Sequence, residues 1–260
     1  MATNGTNGTN GAHAAPEIIL YTNHGCPWAH RAHVAIKELG LPYKEEIIDL
    51  DRPRDPWYLK VNPYIDSSNK RGLVPSINYN GHIITESAVV TQFLADAHPS
   101  HLLPPTGSVD DALYRARVAF FVDTFISKAL PQIFAGQRAQ SEADKDAAAQ
   151  DLIAVLVKEL EPLFTWVGQG SGPYFGGSNK LTLAEVQTAP FLLRLLAFTK
   201  PEYGILSPKL DALLAEKAPK FKAWASQVVQ EPSVTYIWNE KAVADRTKAR
   251  FAKLAAEKKL

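Results

Sequence analysis

The 260-residue sequence contains a single cysteine, Cys26, and that scarcity excludes an internal disulfide. A chain held without disulfides fits a reducing compartment, so a cytoplasmic location is expected, and a mixed disulfide with a small thiol stays open. Charge of one sign is also missing. The 28 Lys and Arg residues against 27 Asp and Glu leave a net charge of +1, so no field draws nucleic acid or an anionic membrane. No stretch approaches the ~18 uninterrupted apolar residues of a membrane span. The first sixteen residues have neither a basic start nor an apolar run; they repeat Asn4-Gly5-Thr6 and Asn7-Gly8-Thr9 and read as a disordered tail, not a signal peptide. Without a secretion signal those triplets are chance matches to the glycosylation pattern. Lys258-Lys259-Leu260 resembles a peroxisomal address only loosely. The glycine-rich segment 168–180 lacks the Lys-Ser/Thr ending of a phosphate loop and reads as a structural turn.

What is present supplies a full core, since 46% of the residues are hydrophobic, and the length suits two domains. Residues 18–22 read as a strand. Ala32, Ala35, Ile36 and Leu39 then recur at helical spacing until Gly40 stops the pattern. A second strand follows at 43–48, and the helical connection makes the pair parallel. Segments 76–79 and 82–85 flank Asn80-Gly81, the signature of a tight type I′ hairpin. A helix with Val89, Val90, Phe93, Leu94 and Ala97 on one face comes next. This order predicts an α/β domain of thioredoxin-like topology. Prolines and a glycine between His98 and Gly107 end both patterns. Beyond them lie helical periodicities at 110–130, 141–167, 183–199, 208–229 and 240–259, so the second part is all-α. Thr182 and Glu185 form a capping box there, with Leu181 and Val186 at the staple positions. The division expected is a tail (1–16), an α/β domain (17–98), a linker (99–108) and an all-helical domain (109–260).

Cys26 follows a strand and a short turn and precedes Pro27, which suits the first position of a helix. A sulfur at that point lies beside unpaired backbone N–H groups, and the helix dipole favours the thiolate, which makes Cys26 a candidate nucleophile. Ala29 stands where a second redox cysteine would be, so a two-cysteine route is closed. His24, His30 and His33 surround Cys26 and raise the alternatives of a Cys-His dyad or a metal site. No acid with metal spacing accompanies them, so they are expected to be exposed polar helix residues and no metal is expected. A protonated His24 would favour the thiolate.

Cys26-Pro27-Trp28-Ala29-His30-Arg31, Asp49-Leu50 through Pro56-Trp57-Tyr58, Val74-Pro75, Glu86-Ser87 and Thr182-Leu183-Ala184-Glu185 occur in that order. With this set the chain resembles the cytosolic glutathione transferase superfamily from Ile18 to about Trp238, in particular the omega class and the related cysteine-containing lambda class. Glu185 stands where Asp is more usual, and the segment 64–71 makes a longer loop than the family has. The resemblance implies that glutathione is the co-substrate. Pro75 would be cis, letting Val74 pair with the cysteinyl segment of glutathione. Ser87 would hold the γ-glutamyl carboxylate and Glu86 the γ-glutamyl ammonium. Arg54 would approach the glycine carboxylate, with Lys60 and Lys70 near enough to substitute. Cys26 would attack a glutathionylated substrate, form a mixed disulfide and be released by a second glutathione. The acceptor, a small electrophile or disulfide, would lie between the domains against Trp28, Phe120, Phe121, Phe125, Tyr236 and Trp238. Glutathione-dependent thiol transfer is the activity implied, in a homodimer, with dehydroascorbate reduction or deglutathionylation as further activities of the omega members it resembles. The alternatives are conjugation to, or removal of glutathione from, a specialised metabolite or xenobiotic electrophile, and a nonenzymatic regulatory role.

Overall fold

A computed structural model describes residues 15–61, 72–166 and 170–257. The loop 64–71 with Lys70, most of the N-terminal tail, Gly168 and Lys258-Lys259-Leu260 lie outside the described residues. The first part follows the expected α/β order. It runs through β1 (Ile18–Thr22), α1 (Pro27–Glu38), β2 (Lys44–Ile47), α2 (Pro56–Val61), β3 (Ser76–Tyr79), β4 (His82–Thr85) and α3 (Ser87–Ala97). The sheet order is β2-β1-β3-β4. β1 pairs parallel with β2, and Leu20 lies opposite Ile77 in the antiparallel pair with β3. Asn80 (φ 50°) and Gly81 (φ 87°) turn the β3-β4 hairpin, as a type I′ turn requires. β2 is short, exposed and charged, which protects an open sheet edge from pairing with another chain.

Helix α1 decides the layout. Every residue from Ala29 to Ile36 is buried, because the sheet covers one side of the helix and helices of the second part cover the other. His30 and His33 are therefore fully buried, not the exposed polar residues expected from the sequence. Helical spacing alone cannot distinguish a solvent-facing stripe from one covered by a distant element.

The second part is helical throughout. α4 (Val109–Thr124) continues through a π-helical turn (Phe125–Ala129) into α5 (Leu130–Arg138), which carries Pro131 and runs beyond the end expected at 130. The wide turn just ahead of the proline absorbs its missing N–H and ring clash. Together these elements make 30 continuous residues, long and apolar enough by composition to cross a bilayer, yet Phe121, Phe125 and Ile133 are buried in the helical core. α6 (Glu142–Val155) begins at Ser141, whose hydroxyl accepts from the Asp144 N–H. It tightens through a π turn into a 3₁₀ turn ending at Thr165. α7 (Leu183–Ala197) is the central, almost wholly buried helix. The single helix expected at 208–229 is two, α8 (Leu210–Lys217) and α9 (Pro219–Val228), because the residue before a proline is biased out of the helical region; Ala218 has φ −133°, ψ 60°. α10 (Pro232–Thr235) and α11 (Glu240–Ala256) complete the chain. Phe121, Phe164, Phe175, Phe221 and Trp224 form one aromatic cluster around α7 and α9.

Candidate active site

A cavity of about 1160 Å³ separates the α/β part from α4 and α7, with Cys26, Trp28, Arg54, Val74, Pro75, Glu86 and Ser87 in its wall. Cys26 is half-buried and caps the N-terminus of α1 with extended backbone (φ −88°, ψ 119°), and Pro27 takes the first helical position. The Val74-Pro75 bond is cis. Glu86 sits immediately before α3 at φ 68°, a left-handed value that costs a non-glycine residue about 1–3 kcal/mol.

The turn that presents the sulfur is tied from both ends of the chain. Asn23 donates Nδ2 to the Ile48 carbonyl (2.9 Å) and its Oδ1 accepts from Gly25 N–H (3.0 Å). That same oxygen accepts from Nη1 of Arg246 on α11 at 2.8 Å, and Arg246 also reaches Asp51. A Cβ on Gly25 would lie 2.5 Å from Arg246 Nη1, so a side chain there would displace the guanidinium from Asn23. From α7, Arg194 donates to the Gly25 carbonyl (3.0 Å) and the Pro190 carbonyl (2.7 Å) while its guanidinium lies 5.0 Å over the Trp238 ring. Burial draws Arg194 down to about 10, which leaves it charged at neutral pH.

Trp28 stands edge-on to Phe191 of α7 (4.8 Å), and the Arg31 guanidinium lies against both rings, 4.6 and 5.1 Å from their centroids. Arg54 reaches the cavity and donates Nε to the Gly72 carbonyl (3.1 Å) and Nη1 to the Asp49 (2.9 Å) and Arg52 (2.7 Å) carbonyls. Lys60 is not among the cavity residues.

Phe120, Phe121, Phe125, Tyr236 and Trp238 do not line the cavity. Phe121 and Phe125 point into the helical core and Phe120 is 60% exposed on the outside. The cavity-facing side of α4 and the π turn that follows it carries Ala119, Val122 and Ile126 instead. A helix rotates about 100° per residue, so choosing residues one position off moves the reading from cavity to core. Trp238 lies under Arg194, and Tyr236 folds back onto His33.

The histidines serve the scaffold. His30 donates Nε2–H to the Val234 carbonyl (2.9 Å), and burial holds it well below the ordinary histidine value. His33 bonds Thr22 Oγ1 (2.8 Å) and, through Nδ1, Tyr236 (3.0 Å) and Tyr43 (3.3 Å). Burial, with His24 second, lowers His33 to about 3. It is thus neutral, and its 3.6 Å approach to Glu45 is not an ion pair. Glu45 of β2 does bond exposed His24, and the ligand atoms of His24, His33 and Glu45 lie within 4.8 Å of one another. The sequence shows no acid at metal spacing because this one arrives on the neighbouring strand. Arg31, Arg194 and Arg246 are the residues that sequence reasoning missed; only Arg31 carried a signal, as the end of the Cys26 hexapeptide.

A family model described as glutathione S-transferase, N-terminal domain, matches residues 25–97. Mouse (Mus musculus) glutathione S-transferase omega-1 is 28% identical over 220 residues, 83% of this chain and 78% of the mouse protein. A rice glutathione transferase, GST1, solved with glutathione, aligns with a TM-score of 0.72 at 25% identity, covering 92% of this chain and 98% of that one. Glutathione transferase Omega 1C from Trametes versicolor aligns with a TM-score of 0.68 at 26% identity, again over 92% and 98%.

Proposed function

Because the chain belongs to the cytosolic glutathione transferase superfamily, with omega-like relatives, we propose that it works as a thiol transferase with Cys26 as the nucleophile. The observation that carries this is the placement of the chain's one thiol at the start of α1, in the same cavity wall as Val74, Pro75, Glu86 and Ser87. A thiolate there faces the positive end of the α1 dipole. It attacks the glutathionyl sulfur of a glutathionylated substrate, the substrate sulfur leaves as a thiolate and takes a proton, and Cys26 is left joined to glutathione. The thiolate of a second glutathione attacks the glutathionyl sulfur of that mixed disulfide, releasing glutathione disulfide and the Cys26 thiolate. Residues 17–98 then form the glutathione side and the helices from 109 onward the acceptor side, in a homodimer.

Cys26→Ser tests the reading. It should abolish glutathione-dependent reduction of a glutathionylated peptide, and intact-mass analysis of the parent protein should show one glutathione bound at Cys26. Full turnover by the serine variant would refute it. The apolar wall formed by Ala119, Val122 and Ile126 favours a second reading, conjugation of glutathione to a hydrophobic electrophile. A conjugate still formed by Cys26→Ala would support that route.

A further inference from the structure

Arg31 is a buried cation with no anion of its own. It is 2% exposed, and no Asp or Glu forms an ion pair with it among the described residues. Nε donates to the Gln187 carbonyl on α7 (2.8 Å), Nη1 donates to Ser87 Oγ (3.1 Å), and Nη2 has no partner among the described residues. The Trp28 and Phe191 rings both lie within about 5 Å of the guanidinium carbon, at 4.6 and 5.1 Å. Burial alone lowers it, to about 9, so it remains charged at neutral pH. Proteins rarely keep such a charge unpaired, because desolvation is costly and removing a counter-ion more so.

The hydroxyl of Ser87 shows where the missing anion belongs. Arg31 has only N–H donors, so it occupies a lone pair of Ser87 Oγ and leaves the hydroxyl hydrogen to be donated elsewhere. No acceptor among the described residues takes that hydrogen. Ser87 is also the first residue of α3, an eleven-residue helix whose N-terminal N–H groups carry the positive end of its dipole. Both residues line the cavity that holds Cys26. A cation, an outward O–H and a helix start thus converge from α1 and α3. Glu86, beside them in the same wall, suits an ammonium. A carboxylate carried next to an ammonium is the α-amino-acid end of a γ-glutamyl group.

We propose that Arg31 is the counter-charge of the γ-glutamyl α-carboxylate of glutathione, acting through Ser87 as a positioning residue that fixes the direction of its hydroxyl. The proposal rests on the glutathione reading above and assigns the buried arginine a ligand group in it. Removing the cation should therefore weaken recognition of that carboxylate and little else.

The test compares glutathione with 4-aminobutyryl-cysteinylglycine, which lacks only that carboxylate, by calorimetric titration of the full chain. The parent protein should favour glutathione by roughly ten- to a hundredfold, the range of a charge-assisted hydrogen-bonded pair. Arg31→Gln should reduce the preference to within about threefold while leaving the affinity for the analogue nearly unchanged. Arg31→Lys should restore part of it, and Ser87→Ala should reduce it without altering the core, which keeps the test decisive if Arg31→Gln does not fold. An Arg31→Gln protein that keeps the full preference overturns the proposal, as does a parent protein that binds both ligands equally. No binding of glutathione by the parent protein would instead remove the glutathione reading itself.

Discussion

Replacing Glu185 by Gln exchanges one oxygen for an NH₂ group at the most heavily bonded carboxylate of the helical part. The side chain is fully buried, and its Oε1 accepts from Phe175 N–H and Trp224 Nε1–H, both at 2.7 Å. Oε2 accepts from Thr182 N–H (2.7 Å) and the Thr182 hydroxyl (2.6 Å). All four partners are donors, so an amide has no orientation that suits them. With its oxygen toward Phe175 and Trp224, its NH₂ meets the Thr182 N–H head-on, and the Thr182 hydroxyl already accepts from Ala184 N–H (3.1 Å). The other orientation orphans two rigid donors. One orphaned buried N–H costs about 1–3 kcal/mol, and the bonds that survive each lose about 1 kcal/mol when the acceptor is no longer charged. Against this stands the relieved desolvation of a buried carboxylate, whose pKa burial raises. The net expectation is a loss of about 2–4 kcal/mol. Urea denaturation followed by circular dichroism measures it. With a slope of about 3 kcal/mol per molar urea, a loss of about 3 kcal/mol lowers the midpoint by about 1 M at unchanged slope. A midpoint within about 0.2 M of the parent would refute the claim that the ionised carboxylate organises these four donors.

Three further outcomes follow from the site and its supports. Arg194→Met keeps bulk over Trp238 but frees the Gly25 carbonyl, so kcat for thiol transfer should fall about tenfold with glutathione affinity changed less than twofold; unchanged kcat would separate Arg194 from Cys26 positioning. His33 is protonated in the unfolded chain below its usual 6.5 but resists protonation in the fold to about 3. It therefore contributes stability that is present above pH 6.5 and is lost as pH falls toward 3, by up to about 1.4 kcal/mol per pH unit. Urea midpoints between pH 7 and 4.5 should fall less steeply for His33→Gln, and parallel profiles would exclude the effect. Ala119→Trp should raise the KM of a bulky acceptor several-fold and leave that of glutathione alone, whereas Phe120→Ala should change neither; steady-state kinetics with both substrates would expose a reversed pattern.

The elements that local chemistry dictates were the ones readable from sequence. Asn80-Gly81 announces its hairpin because few residues take two positive φ values in succession, and Thr182 with Glu185 announces a helix start because both partners lie within one turn. The longer reach of Glu185 to Phe175 and Trp224 was invisible, since those donors come from a loop and from α9. His30, His33 and Arg31 were misread or passed over for the same reason: α7 and α10, more than 150 residues away, supply their cover and their partners. On α4 the helix was legible but its rotation was not, because Phe120, Phe121 and the pair Ala119 and Val122 differ by single steps around the axis. Pro131 stops a regular helix but not one that widens into a π turn beforehand.

The contact of Arg246 with Asn23 joins residues 223 positions apart and closes the turn before the reactive sulfur with the last helix of the chain. Proteins emerge from the ribosome N-terminus first, and early segments wait for late ones. The turn before Cys26 is thus synthesised long before α11, and a chain released without α11 would carry the thiol without that clasp.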